Sequence, residues 1–154
     1  MTGFIAPVSL DEIYIVESEF HIKSEPVTGD LSVSLSISET EPEMFHDRES
    51  SRYVYRGGLL VGVAARRDGT EEEKMDARVM VRGKLSVTDE IGTDDDAREY
   101  LRLNLVSMFY ACARSDIMAH SSQSPMRQFI IAPIDPTAFI EIAEEGQKGE
   151  GDAS

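Results

Sequence analysis

Apolar and polar residues alternate along four segments of the first ninety residues, and this pattern predicts four strands. In the segment 31–38 every apolar residue is followed by a serine, which is typical of a strand with one buried and one solvated face. In the segment 75–87 most odd positions are apolar and most even positions carry a charge. The segments 13–23 and 53–65 have the same period of two. Each of these segments is therefore expected to present one face to a core.

The links between these strands predict their order. Asp68-Gly69 is a hairpin signal between the third and fourth strands. The segment 39–51 is acidic and contains a proline, so we expect a loop between the second and third strands. Four consecutive strands with short links predict an antiparallel meander. In the first strand, one side is predicted to carry Tyr14, Val16, Phe20 and Ile22.

A long helix is predicted to begin near Thr93. Thr93 can cap the free amide groups, and Asp94, Asp95 and Asp96 suit the positive end of the helix dipole. Between residues 100 and 113 the helix is apolar nearly all the way round, whereas a helix lying on one sheet should keep a polar outer side. We therefore expect a second subunit to cover it, in a dimer or a tetramer. The outward interface residues would be Leu103, Val106 and Tyr110.

Beyond the helix, the sequence predicts an extended apolar strap over residues 128–135 and a short second helix. Pro136 suits the first position of that helix. The acidic segment 144–154 has nothing to bury and is predicted to be a disordered tail. The predicted fold is α+β: one domain over residues 1–143, with a four-stranded antiparallel sheet, a long helix, the strap and a short C-terminal helix.

This order of elements resembles the C-terminal half of the SecB protein-export chaperones. Asn104 opens the apolar helical segment, and the segments 132–135 and 138–140 (Ala-Pro-Ile-Asp and Ala-Phe-Ile) are similar to the family's strap and the start of its second helix. Gly-Lys-Leu-Ser-Val at 83–87 and Ile13-Tyr14 with Phe20 resemble two of its strands. The resemblance implies a SecB-like fold in which sheets pair across a dimer and the long helices lie between two dimers.

The resemblance also implies a role as a chaperone for unfolded polypeptides, including preproteins, in protein export. SecB proteins dock the motor SecA through an acidic outer face of the sheet. Glu17 matches one of those acidic positions, whereas His21, Asp76 and Arg78 stand at the others. SecA is therefore an expected partner, and Glu17 is the one residue expected to contact it.

Charge and composition narrow the classes of partner. The net charge of −14 disfavours binding to nucleic acids and to anionic membrane surfaces. No apolar run reaches the length needed to span a membrane, and the N-terminal residues do not form a signal peptide. A single cysteine, Cys112, fits a reducing compartment. The expected location is the cytoplasm.

Motifs of catalysis, nucleotide binding and metal binding are absent from the sequence. The three histidines, His21, His46 and His120, have no metal-ligand spacing. Cys112 lies in the apolar helix, where an inert thiol is expected. The sequence therefore predicts a protein that is not an enzyme and needs neither a cofactor nor a metal.

Apolar surface is the remaining candidate for function. Methionine and aromatic residues form adaptable surfaces that accept unrelated apolar sequences. The residues predicted to bind clients are Met108, Phe109, Met126, Phe129, Ile131 and Phe139. The alternative is that they fill the core. The sequence thus predicts a holdase for unfolded polypeptides, with two alternatives left open: a dedicated chaperone of one partner, such as an antitoxin, and an oligomeric interaction module.

Overall fold

The computed structural model describes residues 7–23, 31–67, 69–70 and 72–122. Within them the chain forms one sheet and one long helix, preceded by a short 3-10 helix at Asp89–Ile91. This arrangement confirms the predicted α+β class with a four-stranded antiparallel sheet. The strap, the second helix and the tail lie outside the described residues. The main elements are β1 (Ser9–Ile22), β2 (Leu31–Asp47), β3 (Arg52–Arg67), β4 (Glu73–Thr88) and α1 (Asp94–Ser122).

The strand order is β1-β4-β3-β2, and all three neighbouring pairs are antiparallel. β2, β3 and β4 follow one another as in a meander, but β1 lies beside β4 and not beside β2. A simple meander is therefore wrong for β1, and the sheet has a Greek-key order. Alternation predicts which face of a strand is buried, but not which neighbour the strand pairs with. As a result β1 and β2 are the two edges of the sheet.

The segment 39–51 is not a loop over most of its length, because β2 continues to Asp47. A register shift between Thr40 and Glu43 accommodates Pro42, and Glu41 has a positive φ of 46°. A proline is compatible with an edge strand at a bulge, where its missing N–H is not needed for the ladder. The acidic residues and the proline of segment 39–51 therefore wrongly predicted a loop, because an edge strand tolerates both.

The side chains of β1 also depart from simple alternation. Register shifts occur between Leu10 and Glu12 and again between Ile15 and Glu17. Each bulge inserts an extra residue and reverses the phase of the strand. Phe20 and Ile22 consequently pack against the core, whereas Tyr14 and Val16 are 48% and 53% exposed. The prediction that these four residues share one side is wrong.

The core lies between α1 and the central strands β3 and β4. One stripe of the helix, spaced by four residues, is almost completely buried against the sheet, and it comprises Leu101, Leu105, Phe109, Ala113 and Ile117. A pair of glycines, Gly57 and Gly83, face each other beneath this stripe. A Cβ atom at Gly83 would lie 2.8 Å from Cζ of Phe109, so the helix approaches this point closely because position 83 has no side chain.

The predicted cap of α1 is confirmed. The amide of Asp96 donates to Oγ1 of Thr93 at 3.2 Å, and Oδ2 of Asp96 accepts from the amide of Thr93 at 3.0 Å. This reciprocal pair is a capping box with aspartate in place of the usual glutamate. The backbone and side-chain hydrogen bonds from Thr93 lower the pKa of the Asp96 carboxyl group. The β3–β4 hairpin is also present, with Gly69 at a φ of 78°, although Asp68 lies outside the described residues.

Candidate polypeptide-binding surface

Side chains of α1 form hydrogen bonds with both edge strands, β2 and β1. The helix therefore crosses the strands obliquely. In its N-terminal half, Nε of Arg102 donates to both carboxylate oxygens of Glu39 on β2, each at 2.9 Å. In its C-terminal half, Asp116 accepts a hydrogen bond from Ser18 of β1, and His120 stacks on Phe20 with ring centroids 6.0 Å apart. An oblique helix covers β3 and β4, and no other described element covers the rest of the edge strands on this side.

One part of the edge strands that no described element covers is an apolar strip on β2. Val33 and Leu35 pair with Ala65 and Val63, two buried residues on the helix side of β3, so their side chains point to the same side. They are nevertheless 48% and 38% exposed, and Ile37 beside them is half-buried. We call Val33, Leu35 and Ile37 the β2 strip. Together these residues present contiguous apolar surface beside α1.

Among the described residues, the backbone edge beside the β2 strip has none of the usual protection. Residues 32–38 carry no charge and no proline, and their register with β3 is uninterrupted. By contrast, β1 carries four acidic residues and two register shifts along its edge. Charges, prolines and bulges are the devices by which edge strands avoid pairing with other chains. As far as the described residues go, the first half of β2 is therefore open to the addition of another extended segment.

A pocket of about 380 Å³ lies farther along β2, beside the Arg102–Glu39 pair. Tyr55 of β3 lines it, and burial, followed by the charge of Glu39, raises the pKa of its hydroxyl to about 12. The side chains of Arg102 and Glu39 are only 18% and 15% exposed. The ion pair therefore fastens α1 to β2 and closes one end of the β2 strip with polar groups.

The residues predicted to bind clients divide into three groups. Phe109 has no exposed surface and packs on Gly83, so its place in the chain is the core, and the client role predicted for it is wrong. Met108 is half-buried and packs against the core cluster. The other four, Met126, Phe129, Ile131 and Phe139, lie outside the described residues, and their role stays a prediction.

The three predicted interface residues are not equivalent. Val106 and Tyr110 are buried within the single chain, so the expectation that they point outward is wrong. Leu103 is partly exposed on the other side of α1. An apolar sequence all round a helix does not reveal which side lies on the sheet, and a contact with a second subunit stays a prediction. No sequence signal pointed to Val33 or Leu35 as exposed residues, because their alternation is that of a buried face.

Glu17, the predicted SecA contact, lies on the face of the sheet opposite α1. It pairs with Met80, which lies between Arg78 and Arg82 on β4. The register partners of Glu19 and His21 are Arg78 and Asp76. Acidic and basic positions therefore alternate around Glu17, and docking of SecA stays a prediction.

A serine, an aspartate and a histidine meet where α1 crosses β1, but their geometry is not that of a hydrolase. Nε2 of His120 lies 3.3 Å from Oγ of Ser18 and 3.7 Å from Oδ2 of Asp116. In a catalytic triad the carboxylate holds Nδ1, so that Nε2 can take the proton of the serine. Here one ring nitrogen faces both groups, and Ser18 donates directly to Asp116. The cluster therefore joins the helix to the edge strand.

Neither a metal centre nor a membrane span is found in the part of the chain that the structure describes. No group of three histidine, cysteine, aspartate or glutamate side chains there could hold a metal ion. The helix that the structure describes lacks the uninterrupted apolar length needed to cross a bilayer. Burial, followed by the charge of Asp116, raises the pKa of the Cys112 thiol, which disfavours the reactive thiolate.

Comparison with solved structures identifies a similar fold. The SecB-like chaperone of Mycobacterium tuberculosis, solved in complex with a peptide from the HigA1 antitoxin, matches with a TM-score of 0.59 and 14% sequence identity over 82% of this chain and 90% of that chain. A Streptococcus agalactiae protein of unknown function matches with a TM-score of 0.45 and 7% identity over 85% of this chain and 100% of that chain. No family model and no curated protein matches the sequence. The likeness to the mycobacterial protein shows that this chain has a SecB-like fold.

Proposed function

We propose that this protein is a SecB-like chaperone that binds extended segments of unfolded polypeptides along β2. The observation that carries the proposal is the β2 strip beside an unprotected backbone edge. In the part of the chain that the structure describes, Val33 and Leu35 are exposed on the side of the sheet that carries α1. A surface of this kind accepts a partner in extended conformation.

The binding mode follows from the chemistry of an edge strand. An added segment exchanges main-chain hydrogen bonds with β2, which are independent of its sequence. Its alternate side chains then lie beside Val33, Leu35 and Ile37, and each buried apolar area contributes about 25 cal/mol per Å². Such a site prefers segments with alternating apolar residues and tolerates many sequences. This combination suits a holdase.

A dedicated chaperone of one partner is the second candidate. The mycobacterial protein of similar fold was solved with a peptide from an antitoxin, which supports a single cognate partner as an alternative to many clients. Export with SecA has weaker support, because acidic and basic residues alternate around Glu17. Binding of one partner at high affinity, with no protection of unrelated unfolded proteins, would favour the dedicated role.

The proposal includes a homo-oligomer, a dimer or a tetramer. The described residues support an oligomer through the exposed apolar side chains of β1. These are Leu10, Tyr14, Ile15 and Val16. A second copy could cover these residues through side-chain contacts, whereas the β2 strip would remain available to clients. Light scattering at micromolar concentration tests this part, and a stable monomer contradicts it.

Two variants, altered on opposite faces of one strand, test the client site. Val33→Lys with Leu35→Lys places charges in the β2 strip, and Ser34→Lys is the matched control on the other face of the same strand. We expect the double variant to lose at least tenfold in affinity for a fluorescent peptide of alternating valine and serine. The control should bind as the parent does. Equal binding by all three proteins would contradict the proposed site.

The same peptide also tests the strand-addition mode. N-methylation at alternate residues removes the amide donors of one edge and leaves the side chains unchanged. We expect the peptide methylated on the pairing edge to lose binding and the one methylated on the opposite edge to keep it. Unchanged binding of both methylated peptides would show that the peptide does not pair with β2.

A further inference from the structure

The pocket at one end of the β2 strip is bordered by two arginines from one face of α1. Arg98 and Arg102 are four residues apart, about one helical turn, and both line this pocket of about 380 Å³. Like charges at this spacing in a helix repel each other. One carboxylate of the pocket, that of Glu39, pairs with Arg102 at 2.9 Å. The second arginine therefore adds a positive charge that this pair does not balance.

Arg98 has no ion pair of its own within the described residues. No carboxylate there lies within 4.0 Å of its guanidinium group, although the chain carries 29 acidic residues. The side chain of Arg98 is exposed, whereas those of Arg102 and Glu39 are largely buried. Arg98 is therefore the charged group of the pocket that an incoming anion can reach.

Glu43 also borders the pocket, but its side chain belongs to the face of the sheet opposite α1, which we call the outer face. The register partner of Glu43 is Arg56, which is exposed between the buried residues Tyr55 and Gly57. Directly paired residues of antiparallel strands point to the same side, so Glu43 points outward with Arg56. The carboxylate of Glu43 therefore does not offset the charge of Arg98 in the pocket.

Tyr55 adds a neutral hydrogen-bond donor beside these charges. Burial and the charge of Glu39 raise the pKa of its hydroxyl to about 12, and the charges of Arg102 and Arg98 act in the opposite direction. Both arginines thus lie close enough to influence this hydroxyl, which keeps its proton at neutral pH. A guanidinium group and a hydroxyl donor beside one pocket suit a carboxylate, because a carboxylate accepts several hydrogen bonds.

The pocket lies where a segment added to β2 must end. Glu39 is two residues beyond Ile37 on the same side of the strand, about 7 Å farther along. The register with β3 then shifts between Thr40 and Glu43, and Pro42 has no N–H group. Regular pairing along the edge therefore stops here. The terminal residue of an added segment would reach the pocket.

We infer that this pocket binds a carboxylate at the end of the polypeptide segment that lies along β2. Arg98 and the hydroxyl of Tyr55 would hold the carboxylate, which is supplied by an acidic side chain or by the C-terminus of the partner. The inference rests on the proposed binding of segments along β2, and it adds a rule of selection. Apolar residues beside the β2 strip are joined to a carboxylate at the Glu39 end.

Fluorescence anisotropy with the full-length protein tests the pocket. The probes are labelled, amidated peptides of alternating valine and serine that carry glutamate or glutamine at one end, each end being tried in turn. We expect terminal glutamate to strengthen binding about fivefold over glutamine, as an ion pair near the surface does. Glutamate in place of the central valine should weaken binding, because it would lie against the β2 strip. Salt should reduce the preference for terminal glutamate.

A peptide without glutamate but with a free C-terminus distinguishes the two sources of the carboxylate. Tighter binding of this peptide than of its amide assigns the pocket to the end of a chain. Tighter binding of the amidated glutamate peptide assigns it to an acidic side chain. Either result supports a carboxylate site.

Arg98→Gln should remove the preference for a carboxylate. Arg67→Gln, at the opposite end of the β2 strip, is the matched control and should keep this preference. Tyr55→Phe removes only the hydroxyl group and should reduce the preference. Since Arg98 is exposed and has no ion pair among the described residues, the melting temperature of Arg98→Gln should equal that of the parent.

Equal affinity of the parent for all of these peptides, with every one of them bound, would overturn the inference and leave the proposed function intact. Absence of binding by every peptide would overturn both. Loss of the preference in Arg67→Gln and not in Arg98→Gln would place the carboxylate at the other end of the strip, which also overturns the inference.

Discussion

The ring of Phe109 lies directly over Gly83, and this contact determines how closely α1 approaches the sheet. A Cβ atom at position 83 would lie 2.8 Å from Cζ of Phe109 and would also clash with the carbonyl oxygen of Glu12 on β1. The glycine therefore serves two contacts, one with the helix and one with the edge strand. Its partner across the strands, Gly57, has no such restriction, because its nearest neighbours would lie 3.6 to 3.7 Å away.

Gly83→Ala should destabilise the fold by about 1–3 kcal/mol, because both the helix and the backbone of β1 would have to move. Gly57→Ala is the matched control. It should be nearly neutral, because an added methyl group there makes ordinary van der Waals contacts. Urea unfolding measures both free energies. Equal effects of the two substitutions would show that the approach of Phe109 does not limit the packing.

Phe109→Ala should cost about 3–5 kcal/mol, because this fully buried side chain fills the space above Gly83. Met108→Ala removes a half-buried neighbour of similar length and should cost less. Thermal and urea unfolding compare the two variants. A stable Phe109→Ala variant with reduced client affinity would instead return Phe109 to the client surface.

Breaking the Arg102–Glu39 pair should loosen the N-terminal half of α1. Both side chains are largely buried, so Glu39→Gln or Arg102→Met leaves a partly buried group without its charged partner and should cost about 1–3 kcal/mol. The double variant should cost less than the sum of the two single variants. Additive losses in this double-mutant cycle would mean that the pair contributes no coupling between helix and strand.

The cap of α1 should make stability depend on pH in the acid range. The folded-state pKa of Asp96 lies below its unfolded value of about 3.9 because Thr93 donates two hydrogen bonds to it. The Asp96 carboxylate therefore contributes its full stabilisation above the pKa that the group has in the unfolded state. This stabilisation is lost as the pH falls through the lower pKa of the folded state. Asp96→Asn should lower the melting temperature at neutral pH and reduce its fall at acid pH.

Asp95→Asn provides the control for this prediction, because Asp95 is in the same helical turn and makes none of the capping hydrogen bonds. The measurement is the melting temperature from neutral pH to about pH 3 for the parent and both variants. Identical acid profiles of Asp95→Asn and Asp96→Asn would show that general charge near the helix end, and not the capping box, causes the dependence.

Local patterns determined much of the architecture. The alternation in β3 and β4 correctly separated the buried side from the outer face, because a strand places successive side chains on opposite sides. Thr93 and Asp96 marked the start of α1, because a cap needs only residues that are close in sequence. The four-stranded antiparallel sheet and the long helix were therefore predictable without tertiary contacts.

The position of β1 and the exposed surfaces depended on contacts between distant parts of the chain. The bulges that turn Tyr14 outward arise from the pairing of β1 with β4, which alternation does not specify. The side of α1 that carries Val106 and Tyr110 became evident only when the helix lay on the sheet. Tyr55 and Arg98 are far apart in sequence and border one pocket only because α1 lies on the sheet. The sequence thus determined which elements form, whereas tertiary packing decided which faces remain open, because exposure depends on what every other element covers.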